Sequence, residues 1–193
     1  MKPKNEAVRQ QIIDAATELI IEYGIAGTST VKVAKRINGA QSNIYSYFKS
    51  KSELISGVFL HHQKMMINAM KPAFDESKSP KKLVADIVSE LLSFADEDPT
   101  SIQIIAAFRA QPNLRQQLPT IDDSQLLTKM FELITNYQRD RVINSAPAEF
   151  IAEAIFSIVV NYSNAKLADE NYAPLLSKDT VIKMVSDFTF IDN

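Results

Sequence analysis

An all-α fold is what this sequence predicts, on three observations. Apolar residues recur at three- and four-residue spacing along almost the whole chain, strict apolar–polar alternation is scarce, and only 4 of 193 residues are glycine. The glycine count disfavours sheet-rich folds, which need many tight turns. A hydrophobic content of 46% suits a packed globular chain and argues against disorder. At this length one sizeable core is possible, or a small module beside a larger one. About nine helices are expected.

The first stripe is Ile12, Ile13, Ala16, Leu19, Ile20 and Tyr23, stopped by Gly24 as a glycine at a helix C-terminus should stop it. Thr30, read as a cap, starts a short helix through Ile37. Asn38-Gly39 then signals a turn, and a second short helix covers Gln41 to Tyr47. A long helix begins near Ser50 or Ser52, with Leu54, Ile55, Val58, Phe59, His62, Met65, Met66, Ala69 and Met70 on one face until Pro72 bends or ends it. "DESKSPKK" is an exposed loop. Ser79 as cap and Pro80 at the first helical position start a helix through Leu83, Ile87, Leu91 and Leu92, and Asp98-Pro99 repeats that start signal. Asp96, Glu97 and Asp98 together are read as acids at a helix start, where the helix dipole favours them. Pro112 and Pro119 bracket a connector or short helix. Two long helices, over 121–143 and 147–168, and a last one over 178–189 complete the chain.

The net charge of −2 is uneven. Residues 1–52 hold eight Lys or Arg against four acids, and the other 141 residues hold thirteen against nineteen. A basic N-terminal module on an acidic body follows, with domains over 1–51 and 52–193. There are no cysteines, which excludes disulfides and thiolate-bound metals and fits a reducing cytoplasm. No charged-then-apolar leader and no membrane-length apolar run is found, so a cytoplasmic protein without membrane association is expected. A His-Glu-x-x-His pattern, a glycine-rich phosphate loop and a cysteine nucleophile are all missing, so no catalytic residue, metal or cofactor is assigned.

Two short helices joined by a tight turn behind a longer support helix form a helix-turn-helix layout. The second helix of such a motif enters the major groove of double-stranded DNA. Gln41, Ser42 and Asn43 can pair with base edges, and Tyr45, Tyr47, Lys49 and Lys51 can reach phosphates. Ile44 and Phe48 share one face and should pack inward. Over about residues 9–60, "IIDAATELIIEYGIAGTSTVKVAKRI…SNIYSYFKSKSELI" resembles the N-terminal domain of TetR-type (tetracycline-repressor-like) transcriptional regulators. The resemblance implies an all-helical homodimer with a DNA-binding domain and a larger domain that binds a small-molecule effector and dimerises. It implies phosphate contacts by Thr30 and Lys51, and a recognition helix carrying Gln41, Ser42, Asn43 and Tyr45, with Tyr45 and Tyr47 near the backbone. Lys2 and Lys4 form a candidate arm that the resemblance does not fix. The turn departs from the family pattern, since Asn38, Gly39 and Ala40 stand where Gly, a small apolar residue and a Ser-like cap are usual. Either Asn38 or Gly39 takes the left-handed position, and Ala40 cannot cap, leaving amides free for a phosphate.

For an effector pocket the candidates are His62, Met66, Phe108, Arg109, Phe131, Tyr137 and Tyr162, although side chains at helical spacing are more often plain core, and a core or surface role for His62 outweighs a ligand role. Arg109 suits an interhelical salt bridge better than an anionic ligand. The resemblance implies that the wide apolar stripe of 147–168, with 178–189, forms the homodimer interface as a four-helix bundle. The function expected is a repressor released from a near-palindromic operator by its effector. The alternatives left open are a body domain that binds a partner protein and, far behind, a helical enzyme.

Overall fold

The computed structural model describes residues 5–115, 125–168 and 176–191. Among these residues the elements, in chain order, are α1 (Glu6–Gly27), α2 (Thr30–Arg36), α3 (Gln41–Tyr47), α4 (Lys51–Met70), a 3₁₀ turn (Lys71–Ala73), α5 (Pro80–Glu97), α6 (Pro99–Arg109), α7 (Pro112–Arg115), α8 (Gln125–Arg139), α9 (Ala148–Ala168) and α10 (Lys178–Thr189). The fold is all-α, and the short-helix option after Pro112 is realised as α7. Lys2 and Lys4 lie outside the described residues, as do 121–124 of the expected 121–143 helix.

The helix boundaries follow from identifiable caps. Gly24, at φ 72°, breaks the helical geometry of α1, and a further turn runs on to Gly27. Asp98 caps α6 by accepting from the Ser101 amide at 3.0 Å. Ser79 holds the N-cap position of α5 without a side-chain cap bond. Helix α8 stops at Arg139, short of the expected 143. Arg141 takes φ 58°, the Arg141 and Val142 amides donate to the carbonyls of Gln138 and Tyr137, and Ile143 then makes an isolated antiparallel bridge with Phe190 after α10. That paired bond pattern around one left-handed residue closes a helix end and satisfies carbonyls that would otherwise be orphaned.

The chain divides into two compact units, one from Met1–Lys64 with Gln103–Thr120 and the other from Met65–Ile102 with Ile121–Asn193. The core of the first joins Ile12, Ile13 and Leu19 of α1 to Val33 of α2, Ile44 of α3, Leu54 and Val58 of α4, and Phe108 of α6, whose ring lies 5.4 Å from that of Phe59. In the second, α5, α9 and α10 pack through Leu83, Ile87, Leu91, Ile151, Val159, Val181 and Val185.

Asp96 and Glu97 belong to the last turn of α5, so only Asp98 is a helix-start acid, and the expectation for the other two is corrected. Acids at a helix C-terminus oppose the helix dipole. Asp96 is compensated by Lys166, by Lys178 at 3.1 Å and by the Tyr162 hydroxyl, which donates to both carboxylate oxygens at 3.1 Å. Partial burial alone would raise the Asp96 pKa, but hydrogen bonds from Lys166, Lys178 and Tyr162 outweigh it and hold the carboxyl below its ordinary value. The Lys166 ammonium is raised above its ordinary value, chiefly by Asp96.

These shifts set the pH window. A depressed carboxylate contributes stability that is complete above the unfolded value, near about 3.9, and is lost as pH falls through the folded one. The raised Lys166 contributes below its unfolded value and loses that contribution as pH rises through its folded value. Asp96→Asn is expected to lower stability at pH 7 by about 1–3 kcal/mol, measured by urea unfolding, with the gap to wild type closing on acidification. A gap independent of pH would mean the carboxylate charge does not hold this hub.

Candidate nucleic-acid interface

The site is built from the turn outward. Asn38 takes the left-handed position at φ 51°, and Gly39 does not. The Asn38 amide donates to the Lys35 carbonyl at 3.2 Å and the Gly39 amide to the Ala34 carbonyl at 2.8 Å, the same end motif as at α8. Asn tolerates this conformation better than other side chains, so the turn forms without glycine at that position. Ala40 is the N-cap of α3 and offers no side-chain cap. The register is therefore fixed, with Gln41 opening the helix.

Ile44 and Phe48 are buried and anchor α3, while Gln41, Ser42, Asn43, Tyr45, Lys49 and Lys51 are exposed and Tyr47 is half-buried. Tyr45, at 47% exposure, is a large aromatic facing water. Phe48 sits beneath the Arg9 guanidinium, 5.3 Å from the ring centroid, and against Gly57 of α4. A Cβ on Gly57 would lie 2.7 Å from the Phe48 ring, so this mid-helix glycine serves close approach. Ser50 and Glu53 cap the α4 start, the Ser50 hydroxyl accepting from the Glu53 amide at 3.0 Å and the Glu53 carboxylate from the Lys49 amide at 2.6 Å.

Thr30 is not the cap of α2. Ser29 is, accepting from the Lys32 amide at 3.2 Å, and Thr30 is the first helical residue, 5% exposed. Its hydroxyl accepts from Gln41 Nε2 at 3.0 Å and lies 3.5 Å from the Tyr45 hydroxyl. Sequence reasoning missed this cluster because its members are eleven and fifteen positions from Thr30. Three of the basic residues are also engaged locally. Arg36 pairs with Glu18 at 2.9 Å and Glu22 at 2.7 Å, and Glu22 is held below its ordinary pKa by the Tyr23 hydroxyl and then by Arg36. Lys32 donates to the Gly27 carbonyl at 2.7 Å and lies over the Tyr23 ring. Lys51 donates to the Ala26 carbonyl at 3.1 Å.

Of the seven pocket candidates, Phe108 lines an open cleft of about 290 Å³ with Ile25, Ala26, Lys51, Ile55 and Leu114. His62 is buried instead between α1 and α4, its Nε2 2.9 Å from the Thr17 hydroxyl. Tyr162 is buried at the Asp96 hub, and Tyr137 packs on Ile143, Ile151 and Phe190 with its hydroxyl pKa raised by burial and then by Glu76. Met66 is buried, and Arg109 and Phe131 are partly exposed. Among the described residues no three His, Cys, Asp or Glu come together as a metal site would require, and no helix is long and apolar enough to cross a membrane.

Residues 12–58 match the bacterial regulatory proteins of the tetR family. An uncharacterised HTH-type transcriptional regulator of Haemophilus influenzae is 25% identical over 193 residues, covering 100% of this chain and 89% of its own. The fatty acid metabolism regulator protein of Bacillus subtilis is 30% identical over 127 residues, 66% of this chain and 60% of its own length. A putative tetR family transcription regulator from Shewanella superposes with a TM-score of 0.81 at 17% identity, over 95% of this chain and 98% of that one, which establishes the shared fold. The matched segment contains α2, α3 and the start of α4, the elements that set out the polar face described above, and these relatives are transcription regulators and not enzymes. Residues 12–58 are accordingly similar to the helix-turn-helix segment of the tetR family, and the chain as a whole shares the fold of TetR-type transcription regulators.

Proposed function

We propose that the protein is a homodimeric, effector-responsive repressor that inserts α3 into the major groove of a near-palindromic operator. The observation that carries this reading is the exposed face of α3. Gln41, Ser42, Asn43 and Tyr45 project from a helix whose opposite side is pinned by Ile44 and Phe48. In a dimer the two copies of α3 read half-sites about one helical turn apart. Lys49 and Lys51 supply phosphate contacts beside it. Thr30 is better read as the residue that positions Gln41 than as a phosphate contact itself, since its hydroxyl is buried.

Dimerisation through α9 and α10 is supported by the apolar side chains these helices and the α10 exit leave in water: Phe150, Leu167, Met184, Phe188 and Ile191. The cleft beside Phe108 is the effector site we favour, because an apolar molecule there would touch the first turn of α4, where Lys51 stands. An effector need only bind one of two states more tightly to shift the operator equilibrium.

Tyr45→Ala and Lys51→Ala are expected to weaken binding to a selected operator duplex with the circular dichroism spectrum unchanged. For Lys51→Ala the slope of log affinity against log salt concentration falls by about 0.9, one phosphate contact. Unchanged affinity in both variants would remove α3 and its flank from the interface.

A further inference from the structure

A glutamine amide carries two N–H donors and one carbonyl acceptor, and when all are free it pairs bidentately with adenine, accepting from N6 and donating to N7. Gln41 is not free in that sense. Its Nε2 donates to Thr30 Oγ1 at 3.0 Å and lies 3.4 Å from the Tyr45 hydroxyl, while Oε1 has no partner among the described residues. Thr30 is 5% exposed and held in the first turn of α2, so the hydroxyl that takes the amide is fixed by the fold.

We propose that Gln41 reads DNA as an acceptor only, offering Oε1 to an exocyclic amine, and so restricts one base on the contacted strand of each half-site to adenine or cytosine. This rests on α3 being the recognition helix. The physical reason is complementarity. In the major groove adenine N6 and cytosine N4 are donors, whereas guanine presents N7 and O6 and thymine presents O4, all acceptors that would face Oε1 lone pair to lone pair. Adenine N7 plays no part, because the amide hydrogens that would meet it are turned back into the protein. Thr30 is thus a positioning residue for specificity, selecting which half of the Gln41 amide the operator meets.

The test is selection of full-length protein on a random-sequence duplex library, followed by titration of single-base variants of the selected duplex. Wild type should prefer adenine or cytosine by about tenfold at one position per half-site, and Gln41→Ala should abolish that preference alone. If adenine is selected there, 7-deazaadenine, which lacks N7, should bind as well as adenine, and purine, which lacks the N6 amine, should bind about as weakly as a mismatch. Thr30→Val, which removes the hydroxyl, should release Nε2 and admit guanine or thymine at that position, and Thr30→Ser should restore the wild-type preference. A guanine or thymine preference in wild type, or a loss with 7-deazaadenine equal to that of Gln41→Ala, overturns the inference while leaving Gln41 a base reader. If Gln41→Ala changes no position, Gln41 does not read bases, and the α3 reading loses that contact.

Discussion

Replacing Met184 and Phe188 together by aspartate is expected to leave a folded protomer that no longer dimerises, with operator affinity falling a hundredfold or more. Both side chains are exposed, at 52% and 40%, so the protomer tolerates the change. In a two-fold interface each substitution would be met by its symmetry mate, and carboxylates buried without partners are costly. The size of the effect comes from linkage. Two recognition helices held together make the second half-site contact intramolecular, which contributes about 10²–10⁴ in apparent affinity. Sedimentation at micromolar concentration reads the first consequence and operator titration the second. A variant that stays dimeric would move the interface off α10.

Phe48→Ala is expected to destabilise the N-terminal unit by about 3–5 kcal/mol, a large share of what a small unit possesses. The Phe48 ring is 2% exposed, follows α3 directly, and fills the space that Gly57 leaves open while Arg9 covers it. Removing it empties that space and frees the C-terminal end of α3 from α4. Phe48→Leu retains most of the buried area, so a smaller loss is expected. Urea unfolding of the two variants gives the comparison. A loss under about 1 kcal/mol for the alanine variant would mean the ring is not what anchors α3.

Much of this architecture was legible because the signals were local. Gly24, the Asp98-Pro99 pair and the α3 face of Ile44 and Phe48 each follow from residues within one or two turns of each other. What failed or stayed open did so where neighbouring residues had equal chemistry. Ser29 and Thr30 are both competent caps, and only the backbone path decides that Ser29 caps while Thr30 turns inward. Asn38 and Gly39 can both take positive φ, and the pairing of Gly39 with the Ala34 carbonyl decides for Asn38. Asp96 was grouped with Asp98, although Pro99 at the first helical position assigns only its immediate neighbour to the cap. Gly57 carried a readable signal, since glycine inside a helix costs about 1 kcal/mol against alanine, and a close neighbour justifies it.

The candidate site was half legible. The residues of α3 were identified by their type and spacing, but the contacts among Thr30, Gln41 and Tyr45 join two helices and have no periodic trace. The pocket candidates illustrate the stronger limit. A stripe of large side chains does not separate core from cavity, so Tyr162 at the Asp96 hub, His62 beside Thr17 and Phe108 on the cleft look alike in sequence.

Whether paired copies of α3 read DNA is decided by selection of the full-length wild-type protein on a random duplex library. The expected result is an enriched inverted repeat with half-site centres about one helical turn, or a little more, apart. Enrichment of no sequence, or of a single half-site without its repeat, would contradict it.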